Sequence, residues 1–429
     1  MYNPETPDLY GKETFREEIM PRNPYQEQSL KLFVRAALLG AAAFLAGAPA
    51  VADEEARIGA LVPMTGPLQD FGEPTLNAIR LAVDQVNQGG GLLGGTLGTA
   101  VGDTQTSPQA GVDAANMLVS LEGVSGIVGA LSSGVTMPVA RSVSSVKGVP
   151  QISSASTSPA ITTLDDKDFL FRTTPHDALQ GVVMADIVKK EGFDTVSVIY
   201  VNNDYGDGLQ KAFTDAFVKL GGRVVASLPY EEKKASYRGE LAQLAKGDPQ
   251  ILVMIAYTGD GVPILRQSLE EGYFSKFVFS DGMKAPEIID QVGAEYLNGS
   301  FGTAPEAVET DSSKRFKEAY EAKYGDLPPK PFLDTAYDAA FLLALAIEKA
   351  GSAEGRAVRD ALRFVANPPG TLILPGEWAK AKALLAQGED IDYAGAAGSQ
   401  NFDAAGDVPG TIGHWVIEDG QIKTVEILE

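Results

Sequence analysis

Short apolar strands alternate with amphipathic helices along nearly all of the chain after residue 57, and this alternation restricts the fold most. Ile58–Val62 reads as a buried strand, and Leu76, Ile79, Val83 and Val86 then recur at helical spacing. Gly126–Gly129 and Val196–Val201 are further strands. Leu209, Phe213, Phe217 and Leu220 mark a long helix that Gly221-Gly222 ends. Val224–Leu228 and Ile251–Ala256 read as strands, Val262–Glu271 as a helix and Phe277–Ser280 as a strand. Ala336, Ala340, Leu343 and Ile347 give another helix. Strand–helix alternation implies parallel sheets covered on both faces. His414–Ile417 and Ile422–Ile427, flanking Glu418-Asp419-Gly420, predict a terminal hairpin. Pro/Gly-rich stretches at 327–331 and 367–376 read as surface loops.

The N-terminal segment predicts export. Lys31 and Arg35 precede an apolar run from Ala36 to Gly47, and Ala50-Val51-Ala52 supplies a small-x-small cleavage site. The run is shorter than the ~20 residues a membrane span needs. Residues 1–52 therefore read as an extension and signal peptide, with Met20 a candidate start and Asp53 the first mature residue. The chain has no cysteine, so no lipidation site and no disulfide is expected. A free exported protein of this kind fits a Gram-negative periplasm.

Cleavage leaves 377 of the 429 residues, more than one ordinary core and enough for two domains. The formal charge of −22 argues against nucleic acid or an anionic membrane as partner. Two histidines and no cysteine leave little for a transition-metal site, and no cofactor is expected. Gly89, Gly91 and Gly94 match a dinucleotide fingerprint, but they follow a helix and precede a strand, the reverse of a phosphate loop. They read as a helix stop and turn. The loops after the strands, where open parallel sheets bind ligands, are rich in Ser, Thr, Gly and Asp with an occasional Tyr. They contain no nucleophile–base pair.

Six of these segments carry a shared pattern: IGALVPMTGPLQDFG at 58–72, NQGGGLLGG at 87–95, GALSSGVTMPVA at 129–140, PQISSASTSP at 150–159, FRTTPHDALQG at 171–181 and YVNNDYGDGL at 200–209. In order and spacing they resemble the type I periplasmic binding proteins of branched-chain amino acid ABC importers, the Leu/Ile/Val-binding family. The resemblance runs from about Arg57 to the C-terminus. It implies an α/β fold of two lobes, each a mainly parallel sheet flanked by helices, joined by three hinge strands. Lobe 1 is expected over 57–175 and 306–405, lobe 2 over 176–305 and 406–429. It also implies a monomeric receptor rather than an enzyme, which binds an amino acid between the lobes and docks on a membrane ABC permease.

Matched motif by motif, the resemblance gives Ser133, the Ala155 backbone and Thr157 to the ligand carboxylate. It gives Asp281 to the ammonium, and Tyr205 and Tyr257 to the second-lobe side of the pocket. Phe71 and Phe332 fall near positions that shape the side-chain pocket. The well-studied pattern has Glu in place of Asp281, Tyr in place of Phe71, and a first-lobe disulfide. The residue types suit a zwitterion, which needs N–H and O–H donors at one end and a charged acceptor at the other. Ser133, just before a helix containing Pro138, is expected to act as its N-cap. His176 reads as a helix start and His414 as strand surface. Two other readings compete. One keeps the fold and binds an amide, urea or aromatic acid; the other is an exported α/β hydrolase, although G-x-S-x-G is missing.

Overall fold

The computed structural model describes residues 54–428; the signal-peptide reading lies outside the described residues. The first sheet holds β1 (Glu54–Val62), β2 (Thr96–Asp103), β3 (Gly126–Gly129), β4 (Gln151–Ser153) and β5 (Leu170–Arg172), all parallel in the order β2-β1-β3-β4-β5. The helix Gly72–Gln88 buries Leu76, Ile79, Val83 and Val86 against it, the spacing read from the sequence. Gly89 caps that helix, and the Leu92–Gly95 bridge turns the chain into β2.

The second sheet holds seven strands, the last two of the chain lying at one edge. Its parallel part comprises β6 (Thr195–Val201), β7 (Arg223–Tyr230), β8 (Ile251–Ile255), β9 (Phe277–Phe279) and β10 (Phe301–Pro305). The chain then returns to the first sheet. The helix Leu333–Ala350 packs on Gly72–Gln88, β3 and β4. A Cβ added at Gly126 would lie 2.6 Å from Leu343, so the helix seats on β3 only because glycine is there. The 367–376 stretch, expected as a loop, contains β11 (Thr371–Ile373), which pairs with β12 (Ile391–Gly395), and β12 pairs in turn with β13 (Gly398–Ser399). Dense Pro and Gly around a three-residue strand hide it from periodicity. The final hairpin, β14 (Ile412–Glu418) and β15 (Gln421–Leu428), joins the second sheet antiparallel to β10.

Three segments pass between the sheets, after β5, after β10 and before β14, and they are bonded to one another. Arg172 Nε donates to Asp407 Oδ1 at 2.6 Å, tying the first passage to the third. Glu306 N donates to Thr411 O at 3.1 Å, tying the second to the third. Burial alone would raise the Asp407 carboxyl; the Arg172 guanidinium outweighs it and holds the group below the usual range.

Three local expectations are corrected. Ser132, not Ser133, is the N-cap of the helix Ser133–Val139; the helix begins one residue earlier than the Pro138 signal suggested. The helix expected from Val262 starts at Thr258, because Tyr257 already has extended cap geometry and Pro263 is accommodated inside it. His414, expected at the strand surface, is buried, with its ring edge-on to Phe301 at 5.8 Å, and burial lowers its pKa. His176 does stand at a helix start, as the N-cap of Asp177–Lys190.

Candidate functional site

The loops at the carboxyl ends of the strands of both sheets meet at one cavity. Counted with its mouth it holds about 320 Å3 of non-atom space. Leu68, Phe71, Leu131, Ser132, Ser133 and Ala155 line it from the first sheet's side. Tyr205, Tyr257, Asp281 and Gly282 line it from the second, and Phe332 closes one end. Seven of the eight residues read as site candidates therefore line one cavity. Thr157 does not line this cavity: it is fully buried behind it, beside Asp177.

The second-sheet wall is a hydrogen-bonded block. Asn203 caps the helix Asp204–Lys219 by accepting from the amides of Tyr205 and Gly206, which fixes Tyr205 at its first turn. The Tyr205 hydroxyl donates to Asp281 Oδ1 at 2.7 Å and lies 2.8 Å from the Ser280 hydroxyl. Gln180 Nε2 donates to the same oxygen at 2.9 Å. Tyr205 and Tyr257 stack, with ring centroids 5.6 Å apart and planes 12° apart. Gly282 lies against Tyr257, where an added Cβ would come within 2.5 Å of the Ala256 carbonyl. Burial pushes the Asp281 carboxyl up to about 6, with Tyr205 and Gln180 pulling the other way. Burial also raises both tyrosines, so their phenols stay protonated and serve as donors.

The first-sheet wall offers smaller donors. Ser133 Oγ accepts from Ser158 N at 3.2 Å, which joins the loop after β3 to the loop after β4. Arg172 supports the second of these loops: its Nη1 donates to Ser158 O at 2.9 Å and to Ser156 O at 3.4 Å, on either side of Thr157. Phe332 takes φ 74°, a left-handed conformation that costs a bulky residue of order 1 kcal/mol, and so turns its ring onto the cavity.

The two walls are in contact. The hydroxyls of Ser132 and Tyr257 meet at 2.9 Å, and Asn203 Nδ2 donates to the Tyr257 oxygen at 3.1 Å. At the rim, Thr258 Oγ1 donates to Asp70 Oδ2 at 2.8 Å and Gly259 N donates to Pro67 O at 3.0 Å. Lys330, its Nζ 5.6 Å from the centroid of the Phe71 ring, pairs with Glu287 from the other side. This is a closed arrangement.

Sequence reading missed Leu68, Leu131, Ser132 and Gly282 on the wall, and Gln180, Asn203 and Ser280 behind it. Asn203 and Gly282 carried signals, a cap before Asp204 and a glycine after an acid. The others are ordinary residues made important by the fold. Among the described residues no group of three or more His, Asp or Glu could hold a metal ion.

The two parallel sheets flanked by helices, with a cavity between their carboxyl ends, are the architecture of type I periplasmic binding proteins. The family described as periplasmic binding proteins matches residues 55–379. The chain is 30% identical over 339 residues, 78% of this chain and 87% of the relative, to a leucine-, isoleucine-, valine-, threonine- and alanine-binding protein of Pseudomonas aeruginosa. It is 29% identical over 88% of its length, and 91% of the relative, to the substrate-binding protein of a chemotactic signal transduction system of Halobacterium salinarum. The crystal structure of a leucine-binding protein from Thermotoga maritima superposes with a TM-score of 0.74 at 25% identity, covering 87% of this chain and 99% of that one. The chain belongs to the periplasmic binding protein family, in its type I, branched-chain amino acid branch.

Proposed function

We propose that this chain is the periplasmic substrate-binding component of an ABC importer, and that it binds a small α-amino acid with an apolar side chain in the interlobe cavity. The observation that carries the reading is Asp281. It is a buried carboxyl on the cavity wall, opposite a wall that offers only hydroxyls and backbone groups, in a cavity otherwise apolar and aromatic. An ammonium meets Asp281, and a carboxylate meets Ser133 and the Ala155 backbone, with Thr157 buried behind that wall. The aliphatic side chain packs on Leu68, Phe71, Leu131 and Phe332. Charge-assisted hydrogen bonds contribute about 1.5–3 kcal/mol each, so a few of them with apolar burial reach the roughly −8 kcal/mol of a micromolar complex. The names of the relatives support the same ligand class.

The lobes of this reading are 57–175 with 306–405, and 176–305 with 406–429. They close by hinge motion of the three passages. The ligand stabilises the closed form through contacts that exist only there, and the closed form is what a membrane permease recognises. The protein acts as a monomer, without catalysis, after export through a cleaved leader.

A thermal-shift screen tests the reading. Leucine, isoleucine or valine at about 100 times Kd should stabilise the protein by about 2.7 kcal/mol. A shift given only by aromatic acids, amides or urea overturns it in favour of another solute on the same fold.

A further inference from the structure

We propose that Gly134, Gly208 and Gly259 are the seats on which the two walls of the cleft come together, so that a single methyl added at one of them holds the cleft ajar. The proposal rests on the reading that the walls separate and meet by hinge motion. It adds three residues that are not among those lining the cavity.

Each glycine stands in the first turns of a helix that follows a strand, and each is crowded from the opposite wall. Gly208 belongs to the helix Asp204–Lys219, after β6; a Cβ there would lie 2.7 Å from Pro159 Cδ and 3.3 Å from Ser158 Oγ, in the loop after β4. Gly259 belongs to the helix Thr258–Glu271, after β8; a Cβ there would lie 2.8 Å from Pro67 Cα and 3.0 Å from Pro67 O, in the loop after β1. Gly134, in the helix Ser133–Val139 after β3, faces the other way, and its Cβ would lie 3.2 Å from Asn203 Cβ. Carbon pairs are at ease at about 3.5–4.0 Å, so the contacts at Gly208 and Gly259 would be overlaps and the one at Gly134 a squeeze.

None of the three has a positive φ, so the backbone accepts alanine at each, and a helix favours alanine over glycine. What glycine supplies here is space. Gly126 and Gly181 are crowded too, but by Leu343 and Ala212, on their own side of the cleft. The three seats also coincide with bonds of the site. Gly259 N itself donates to Pro67 O. Asn203, against Gly134, donates to the Tyr257 oxygen that meets Ser132. Ser158, against Gly208, donates from its amide to Ser133 Oγ on the cavity wall. A wall displaced by the overlap at one seat lengthens bonds that are already at full length.

The test uses Gly208→Ala, with Gly239→Ala as control: Gly239 stands in the helix Arg238–Leu244 with open space where a Cβ would go. Titration calorimetry should show L-leucine bound roughly ten- to hundredfold more weakly by Gly208→Ala, and as tightly as wild type by Gly239→Ala. The free Gly208→Ala protein should need at least as much denaturant to unfold as the wild type. Adding Pro159→Ala, which removes the ring carbon nearest the new methyl, should restore most of the affinity. Unchanged affinity in Gly208→Ala, a less stable free protein, or no rescue overturns the proposal. A ligand-free arm separates it from the amino-acid reading. The chain has no cysteine of its own, so the pair Asp70→Cys and Thr258→Cys, at side chains that meet at 2.8 Å across the rim, reports closure by its rate of copper-catalysed disulfide formation. That rate should also fall roughly ten- to hundredfold when Gly208→Ala is added, and not when Gly239→Ala is. If leucine does not bind the wild type, the amino-acid reading falls and the cross-linking rate alone decides: an equal rate with and without Gly208→Ala, or no cross-link at all, overturns the proposal.

Discussion

The hydroxyls of Ser132 and Tyr257 lie 2.9 Å apart across the cleft, so a residue after β3 is bonded directly to a residue after β8. Asn203 donates to the same tyrosine oxygen, which leaves the phenol proton free for Ser132. The contact exists only when the two walls meet. Removing either hydroxyl should bias the protein towards the open form. Ser132→Ala and Tyr257→Phe should each weaken leucine binding by about 0.5–1.5 kcal/mol. The double variant should lose less than the sum, because both remove one bond. Titration calorimetry on the four proteins gives the coupling; strict additivity would show that the bond contributes nothing to closure.

The Arg172–Asp407 pair is buried at both ends and holds two of the three passages together. Arg172→Met leaves Asp407 unpaired and should cost about 3–5 kcal/mol in denaturant unfolding. The Asp407 carboxyl is depressed, so its contribution is present above the unfolded carboxylate pKa and is lost as pH falls through the lower folded value. The wild type should therefore lose more stability than the variant under strongly acidic conditions. Since Arg172 also bonds the carbonyls around Thr157, the variant should bind leucine more weakly even at temperatures where it is folded.

Asp338 predicts the opposite pH sign. It accepts from the Tyr393 hydroxyl at 2.7 Å and from the amides of Ala396 and Ala397 at 2.8 and 2.9 Å, yet burial pushes it up to about 7. A carboxyl raised in the folded state gives stability that is full below the unfolded pKa and fades as pH rises through the folded one. Unfolding free energy should fall between about pH 4 and about pH 7, and Asp338→Asn should flatten part of that slope. Denaturant melts of both proteins at the two ends of the window check it; parallel curves would remove Asp338 from the account.

Much of the fold was legible because buried parallel strands and one-sided helices write their periodicity into the sequence. Ile58–Val62, the helix through Leu209 and Phe217, and the terminal hairpin all lie where the pattern puts them. The 371–373 strand was not legible, because three residues carry no period and their neighbours are Pro and Gly. His414 misled because alternation marks faces but not whether a second layer covers the outer one. In the site, Ser133, Tyr205, Tyr257 and Asp281 were named through the family resemblance, on loops that follow strands of two different sheets. Ser132 was missed because a cap and its neighbour differ by one residue, which local sequence does not resolve.

The central claim is that Asp281 reads a ligand ammonium, and the most direct measurement compares L-leucine with its des-amino analogue, 4-methylpentanoate, by titration calorimetry on wild type and Asp281→Asn. Wild type should bind leucine and bind the analogue at least roughly ten- to hundredfold more weakly, since a buried charged acceptor then faces a methylene. Asp281→Asn should lose about 1.5–3 kcal/mol for leucine and narrow the gap between the two ligands. Equal affinity of wild type for leucine and 4-methylpentanoate, or an unchanged leucine affinity in Asp281→Asn, would contradict the account.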